Sequence, residues 1–394
     1  MNRRKFVKST LAASVAASFP VISACGEKAR VATEAEASIR AASLTGAEVE
    51  LTKSMIREFG DAMAGPVMLS EHPGYESARK IWNGMHDKHP ALIARCQNTQ
   101  DIQHTIDFAH DHNLLLAVRG GGHSWPGKST CEGGVMLDLS QMTAVEVDTG
   151  NQTAWCDGGA LLGNLDDATL AQGLVTTAGV VSHTGVGGFT LGGGFGRLNR
   201  KYGLTIDNLL GAEIVTADGQ VREVNAENEP DLFWAMRGGG GNFGAVSRFR
   251  FQLHRFDRNV LSGLIVWPID QARDVLEFYA GWQGGLSREL YTGPAMFTHP
   301  ELGPVIAMEV VYNGDPAQGE KELAPLRAIG KPAVDGVIVQ DYKVLQTHED
   351  ATVAHGIRSY AKNAMVGEFS QKLVNDLIDS FIEDPRASLF THTC

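Results

Sequence analysis

The sequence predicts an α+β protein in two parts, a glycine-rich N-terminal part and a following α+β part built on an antiparallel sheet. Three observations carry this. From Pro90 to about Phe256, short apolar runs alternate with turns and amphipathic helices. After residue 257 come longer strand-like runs such as "LSGLIVW" and "VIAMEVVY", beside helical stretches such as 319–328. Glycine, 45 of 394 residues, gathers in loops, which points to tight turns or to backbone lying close to a ligand. A hydrophobic fraction of 43% with 20% charged residues is that of a globular chain. The net charge of −12, with no basic face, sets a nucleic-acid partner aside.

The elements follow in order. Residues 1–25 are read as a targeting segment. Arg3 and Arg4 in "MNRRKFVKS" resemble a twin-arginine export signal, and the apolar run from Thr10 to Ala24 is too short and too rich in Ser and Ala to span a membrane. The segment ends in "VISAC", which resembles a lipobox with Cys25 as the lipidated residue. The expected location is therefore outside the inner membrane, periplasmic or held there by a lipid anchor. Residues 26–60 are expected to be an Ala/Glu-rich tether, to about residue 46, followed by a helix over 49–62.

"DIQHTIDFAHDH" places Ile102, Ile106 and Ala109 on one helical face. "LLLAV" (114–118) and "VMLDL" (135–139) read as buried strands. "AVEVD" and "TAWCD" flank Thr149-Gly150-Asn151 as a hairpin. "LLGNLDDATLAQG" is a helix stopped by Gly173, "GAEIVTADGQVREV" a strand pair turning at Asp218-Gly219, and "PDLFWAM" a helix opened by Pro230. Cys96, Cys131, Cys156 and Cys394 form no CxxC or Cys/His sequence cluster, so no metal site is expected. Their pairing is not readable from spacing.

Two motifs point the wrong way. Gly122 to Ser129 satisfies the phosphate-loop pattern G-x-x-x-x-G-K-[ST], which needs a following helix whose N-terminus meets the phosphates. Here Thr130 to Gly134 leads straight to a strand, and Pro126 removes an N–H from the loop. Gly239, Gly241 and Gly244 satisfy G-x-G-x-x-G, but a helix precedes and a strand follows, the reverse of a dinucleotide fold. What remains is three glycine-rich loops, 119–124, 185–196 and 238–244, able to wrap one long ligand carrying a pyrophosphate through amide N–H groups.

In order, "YESARKIWNGMHDKHPALIARC", "RGGGHS", "GGVMLDLS", "TAGVVSHTGVGGFTLGGGFGRLNRKYGLTIDNL" and "DLFWAMRGGGGNFGAVSRF" resemble the FAD-linked oxidases. The resemblance is to the vanillyl-alcohol-oxidase (PCMH) type of flavin domain, in the berberine-bridge-enzyme-like and 6-hydroxynicotine-oxidase-like branch. It implies a two-part FAD-binding domain over 61–256 and a substrate domain over 257–394. It implies that Arg119, Gly120, Gly121, Gly122, His123 and Ser124 surround the FAD pyrophosphate, with His123 bonded to the flavin 8α-methyl. It also implies that Gly185, Val186, Gly187 and Gly188 pass the isoalloxazine with Gly193 and Gly194 nearby, and that Asn242, Gly244 and Val246 line the rest of the cofactor.

Two departures stand out. Relatives with a second, cysteinyl bond carry it in G-x-C-x-x-x-G-x-G-G, where this chain has Val181, so attachment is expected to be single. The family's C-terminal return to the flavin domain, with its Y-x-N-[YF] stretch, is not found before "SLFTHTC"; an incomplete substrate domain is expected. The resemblance implies oxidation of a small organic substrate by hydride transfer to flavin N5, with dioxygen or another acceptor reoxidising the flavin. A flavin-binding lipoprotein without turnover is the alternative. Tyr202, Glu309 and Tyr312 are candidates for the catalytic base, and His183, beside the flavin loop, is a further one.

Overall fold

The computed structural model describes residues 38–385 and 388–390, so the segment expected to be an export signal, Cys25 and Cys394 lie outside the described residues. Among the described residues, three larger sheets are accompanied by two two-stranded ones. A four-stranded sheet runs in the order Val67–Met68, Leu92–Arg95, Val135–Asp138, Leu116–Arg119. Leu92–Arg95 and Leu116–Arg119 both lie parallel to the central Val135–Asp138. The connection from Arg119 to Val135 contains no helix, which removes the ATPase reading of that loop.

A five-stranded antiparallel sheet runs Val221–Asn225, Leu209–Val215, Ala245–Gln252, Thr153–Asp157, Val145–Asp148. The hairpin at Gly150 and the strand pair at Asp218-Gly219 are both present, and Gly219 takes the positive φ of +72° that its turn requires. The third sheet is antiparallel: Val334–Asp335, Asn259–Pro268, Gly303–Tyr312, Leu290–His299, Leu389–Phe390, with Ile338–Asp341 also paired to Asn259–Pro268. The first two sheets use strands from Val67 to Gln252 and the third uses strands from Asn259 onward, each over its own apolar cluster.

The helix Thr99–Asp111 shows why local sequence produces these elements. Asn98 accepts from the Asp101 N–H at 2.9 Å and so satisfies an orphan donor of the first turn. Ile102, Ile106 and Ala109 are buried on one face, as their spacing predicts. The buried Asp101 carboxylate accepts from Ala64 N (2.7 Å), Gly65 N (3.0 Å) and Gln97 N (2.9 Å), tying the helix start to two loops.

One expectation is corrected. The stretch expected to be tether and helix holds an antiparallel hairpin, Ile39–Ala42 with Glu48–Leu51, and the helix begins only at Lys53, capped by Thr52. Ala41 and Leu51 are buried in the core of the four-stranded sheet, and Ala42 N donates to Gly133 O at 2.7 Å. Apolar burial and edge pairing outweigh a composition that reads as linker. Among the described residues, no helix is long and apolar enough to cross a membrane. Cys96, Cys131 and Cys156 are buried free thiols, and burial pushes Cys131 up to about 11 and Cys156 up to about 12.

Candidate flavin site

The strand Leu116–Arg119 delivers the first glycine loop to the site. Arg119 donates to Ala78 O at 2.5 Å and stands 3.8 Å from the buried Asp138 carboxylate; its Nε is buried with no hydrogen-bond partner. Burial pulls the Arg119 guanidinium below its usual value, with Asp138 opposing. Gly122, at φ +70°, accepts from Trp82 N at 2.9 Å, and Ser124 Oγ accepts from Lys128 N at 3.0 Å. The supposed phosphate-loop residue Lys128 thus serves a local turn.

The first and second loops meet backbone to backbone. A Cβ on Gly121 would lie 2.3 Å from Gly185 Cα, and one on Gly185 would lie 2.3 Å from Gly121 N. Only glycine at both positions allows that approach. Val186 is fully buried and Gly187 packs on Gly158 O, so both serve packing. Gly194, at φ +74°, faces the Thr205 side chain. Gly188 and Gly193 face open space, as do Gly238, Gly240 and Gly241 of the third loop. The other residues expected from that loop are committed elsewhere. Asn242 donates to Gly239 O at 2.6 Å, Gly244 is pressed on Val215 O, and Val246 is buried in the core of the five-stranded sheet.

His123 sits where the loops converge. Its Nε2 lies 2.8 Å from His183 Nδ1, its ring stacks on Trp82 (5.0 Å between centroids, 18° between planes), and Thr184 Oγ1 is 3.5 Å from its Nδ1. His355 approaches both rings, at 5.7 Å from His123 and 4.9 Å from His183. Burial first, then the neighbouring His183 and His355, pushes His123 down to about 3, so it is neutral at neutral pH. Burial likewise lowers His355. The sequence spacing gave no Cys/His cluster, yet the fold assembles three histidines with ligand nitrogens within 4.8 Å of one another. Nitrogens bound to one tetrahedral zinc at ~2.1 Å would lie only ~3.4 Å apart, so one shared ion would require the rings to move inward.

Sequence reasoning missed Trp82 and His355. Trp82 stands inside a stretch that carries the family resemblance. No local pattern marks His355, which is brought in by the segment around it. Gly356 N donates to Trp82 O (2.9 Å), Gly84 N to Ile357 O (2.9 Å), and Trp82 Nε1 to Val353 O (2.8 Å).

Three of the base candidates, Glu309, Tyr312 and Tyr202, are engaged with other partners. Glu309 is engaged by Arg197 Nε at 2.7 Å, so this carboxylate oxygen is already committed to a structural partner. Tyr312 is buried in the core of the third sheet, against Gly314 and Gly319. Tyr202 stacks on His254 (4.2 Å, 9°) and points its hydroxyl at Arg255 O, 3.4 Å away. Among the candidate bases, only His183 touches His123.

A flat, phosphate-bearing cofactor fits this arrangement on two observations: glycine backbone left open along the second and third loops, and buried polar atoms without partners, Arg119 Nε, Thr190 Oγ1 and His183 Nε2. The comparisons agree. Residues 90–225 match the model of the FAD binding domain family. The chain is 33% identical over 328 residues to (R)-6-hydroxynicotine oxidase of Paenarthrobacter nicotinovorans, covering 83% of this chain and 69% of that protein. It superposes on the crystal structure of 6-hydroxy-D-nicotine oxidase from Arthrobacter nicotinovorans with a TM-score of 0.70 and 32% identity, covering 75% of this chain and 66% of that one. It also superposes on glucooligosaccharide oxidase from Acremonium strictum, a protein described with 6-S-cysteinyl, 8α-N1-histidyl FAD (TM-score 0.68, 27% identity, 75% and 62% covered). The chain thus spans about two thirds of the length of the relatives it matches.

A mixed α/β flavin half with glycine loops, joined to an antiparallel sheet, defines a PCMH-type FAD-binding protein. The chain belongs to the FAD-linked oxidoreductases, in the branch that holds the 6-hydroxynicotine oxidases, and it shares its fold with a berberine-bridge-enzyme-like protein of Physcomitrella patens.

Proposed function

We propose that this chain is an FAD-dependent oxidoreductase whose flavin is singly attached through His123 and that oxidises a small organic substrate. The observation that carries the reading is the position of His123, a neutral imidazole held at the meeting point of two glycine loops inside the FAD-binding domain. When bound, FAD would accept a hydride at N5 and pass the electrons to dioxygen or another acceptor. The chain's own residues do the rest. Gly188, Gly193, Gly240 and Gly241 leave room for an extended cofactor, and Trp82 fixes the face of His123. The histidyl linkage of glucooligosaccharide oxidase supports His123 as the attachment residue.

A second, cysteinyl bond is not part of this proposal. Val181 stands at the cysteine position of the motif, and the free thiols Cys96, Cys131 and Cys156 are buried on other elements. The relatives named above are described as acting on hydroxynicotine and glucooligosaccharide; for this chain the proposal stops at a small organic substrate. We also propose export through the Arg3-Arg4 signal and lipidation of Cys25. Labelling with a clickable fatty acid and its loss in Cys25→Ala would test the anchor.

The attachment is tested by acid precipitation of purified protein followed by mass spectrometry. Wild-type protein should stay yellow and give a flavin-modified peptide containing His123, and His123→Ala should release all its flavin. A wild-type precipitate that is colourless would defeat the assignment. Turnover is tested separately, by screening donors for bleaching of the flavin band; absence of bleaching with every donor class would favour a binding protein without turnover.

A further inference from the structure

His123 has two ring nitrogens, and the fold treats them differently. Nε2 faces His183 Nδ1 at 2.8 Å, a full hydrogen bond, whereas Nδ1 has only Thr184 Oγ1 at 3.5 Å, the outer limit of one. The ring cannot easily turn to exchange them, because Trp82 covers one face and His355 meets it edge-on at 87°. His183 is itself held. Its neighbour Ser182 donates through N and Oγ to the Asp350 carboxylate, at 2.8 and 2.5 Å, and its own Nε2 is buried without a partner. Two imidazoles joined nitrogen to nitrogen at this distance are bridged by a single proton, and a polar pair left this incomplete is uncommon unless it has a use.

We propose that His183 is the positioning residue for flavin attachment: its Nδ1 accepts the Nε2–H of His123, leaving the lone pair of His123 free on Nδ1, and takes up that proton as the bond to flavin forms. The inference rests on the reading of His123 as the attachment residue. Protons and electrons balance as follows. The new bond joins His123 Nδ1 to the 8α carbon. A C–H bond at that carbon breaks, its proton leaves, and its electron pair enters the ring system, reducing the flavin by two electrons. Dioxygen removes the two electrons and, with the proton from carbon and the proton from Nε2, becomes hydrogen peroxide. The oxidised, attached flavin remains. Burial keeps His123 neutral, so its lone pair needs no prior deprotonation. A base aimed at the second nitrogen prevents the imidazole from becoming cationic as it bonds.

The experiment uses full-length protein made in riboflavin-limited cells, mixed with FAD in air, with covalent flavin followed by fluorescence on denaturing gels. Wild type should flavinylate. His183→Ala should bind FAD reversibly yet attach it about 100-fold more slowly, the low end of what a placed base contributes, and added imidazole should restore part of the rate. His183→Asn keeps an acceptor without basicity and should fall between the two. His183→Ala keeping pace with wild type would overturn the inference while leaving His123 attachment intact. Wild-type speed in His183→Asn would overturn the proton-accepting role, and it decides the matter if His183→Ala does not bind FAD. Wild type that never gains covalent flavin would defeat the attachment reading first, and the role of His183 with it.

Discussion

Two places in this molecule gather polar side chains from distant parts of the sequence, and they differ in how fully those groups are satisfied. In the first, Arg197 donates to Glu309 (2.7 Å), Leu345 O (3.3 Å) and Gln346 Oε1 (3.1 Å), and Gln346 Nε2 passes on to Gly179 O (2.8 Å) and Asp166 (3.3 Å). In the second, His123, His183 and His355 crowd together with one good hydrogen bond among them and no charged partner paired to them. The first links the glycine-loop half to the third sheet with paired charges, which is what a strut needs. The second holds one neutral imidazole, His123, beside an unpartnered nitrogen on His183, which is what covalent chemistry needs. Incomplete satisfaction, more than the presence of ionisable groups, distinguishes the reactive place from the supporting one.

The largest test of the contrast is to break the strut. Burial pulls the Arg197 guanidinium down, but the charge and the hydrogen bond of Glu309, with smaller contributions from Tyr342 and Tyr291, together hold the group above its usual value. Arg197→Met would strip Glu309 and Gln346 of their partner inside the protein. Loss of one member of a buried pair costs about 3–5 kcal/mol, and Glu309, 21% exposed, places this case near the lower figure. Urea unfolding should show that loss. A change below about 1 kcal/mol, the range of exposed pairs, would mean the strut carries nothing.

Asp166 sharpens the same contrast through pH. It is wholly buried, and burial, opposed by the Gln346 hydrogen bond, pushes its carboxyl up to about 7. Unfolded, an aspartate titrates near ~3.9. Between those values the folded chain holds a proton that the unfolded chain has lost, so this group lowers stability as pH rises from about 4 to about 7, at no more than about 1.4 kcal/mol per pH unit. Asp166→Asn keeps an acceptor for Gln346 and removes the titration. Its unfolding midpoint should fall less over that window than wild type's, and parallel slopes would show that Asp166 stays charged when folded.

The parts legible in sequence are those with a local cause. His123 could be singled out because "RGGGHS" follows an apolar strand, and the helix Thr99–Asp111 because its apolar spacing and Asn98 cap lie within one short window. The N-terminal hairpin was not legible: its strands are four residues each, and "IRAA" buries only Ala41 fully. Arg197 lies in "GRLNRKYG" beside Arg200 and Lys201, and nothing local marks which cation is buried. His355 has no signal at all, because its neighbours His123 and His183 are set by the packing of three separate segments.

The histidine place depends on geometry, so the smallest useful change there is a single methyl. In Gly121→Ala the new Cβ meets Gly185 Cα at 2.3 Å, Gly185 N at 2.5 Å and the Leu161 side chain at 2.9 Å. Leu161 can rotate, but the Gly185 backbone cannot yield without moving the start of the helix Val186–Leu191, whose first N–H is held by Ala160 O at 2.8 Å. Overpacking of this kind costs about 1–3 kcal/mol, less than breaking the strut. Yet Gly121 and Gly185 lie two residues from His123 and His183 respectively, so spreading the loops also spreads the histidine pair. Gly121→Ala should therefore lose more flavin content than stability, and Arg197→Met more stability than flavin content. If the two variants lost both in the same proportion, the division of the molecule into a supporting network and a reactive one would be wrong.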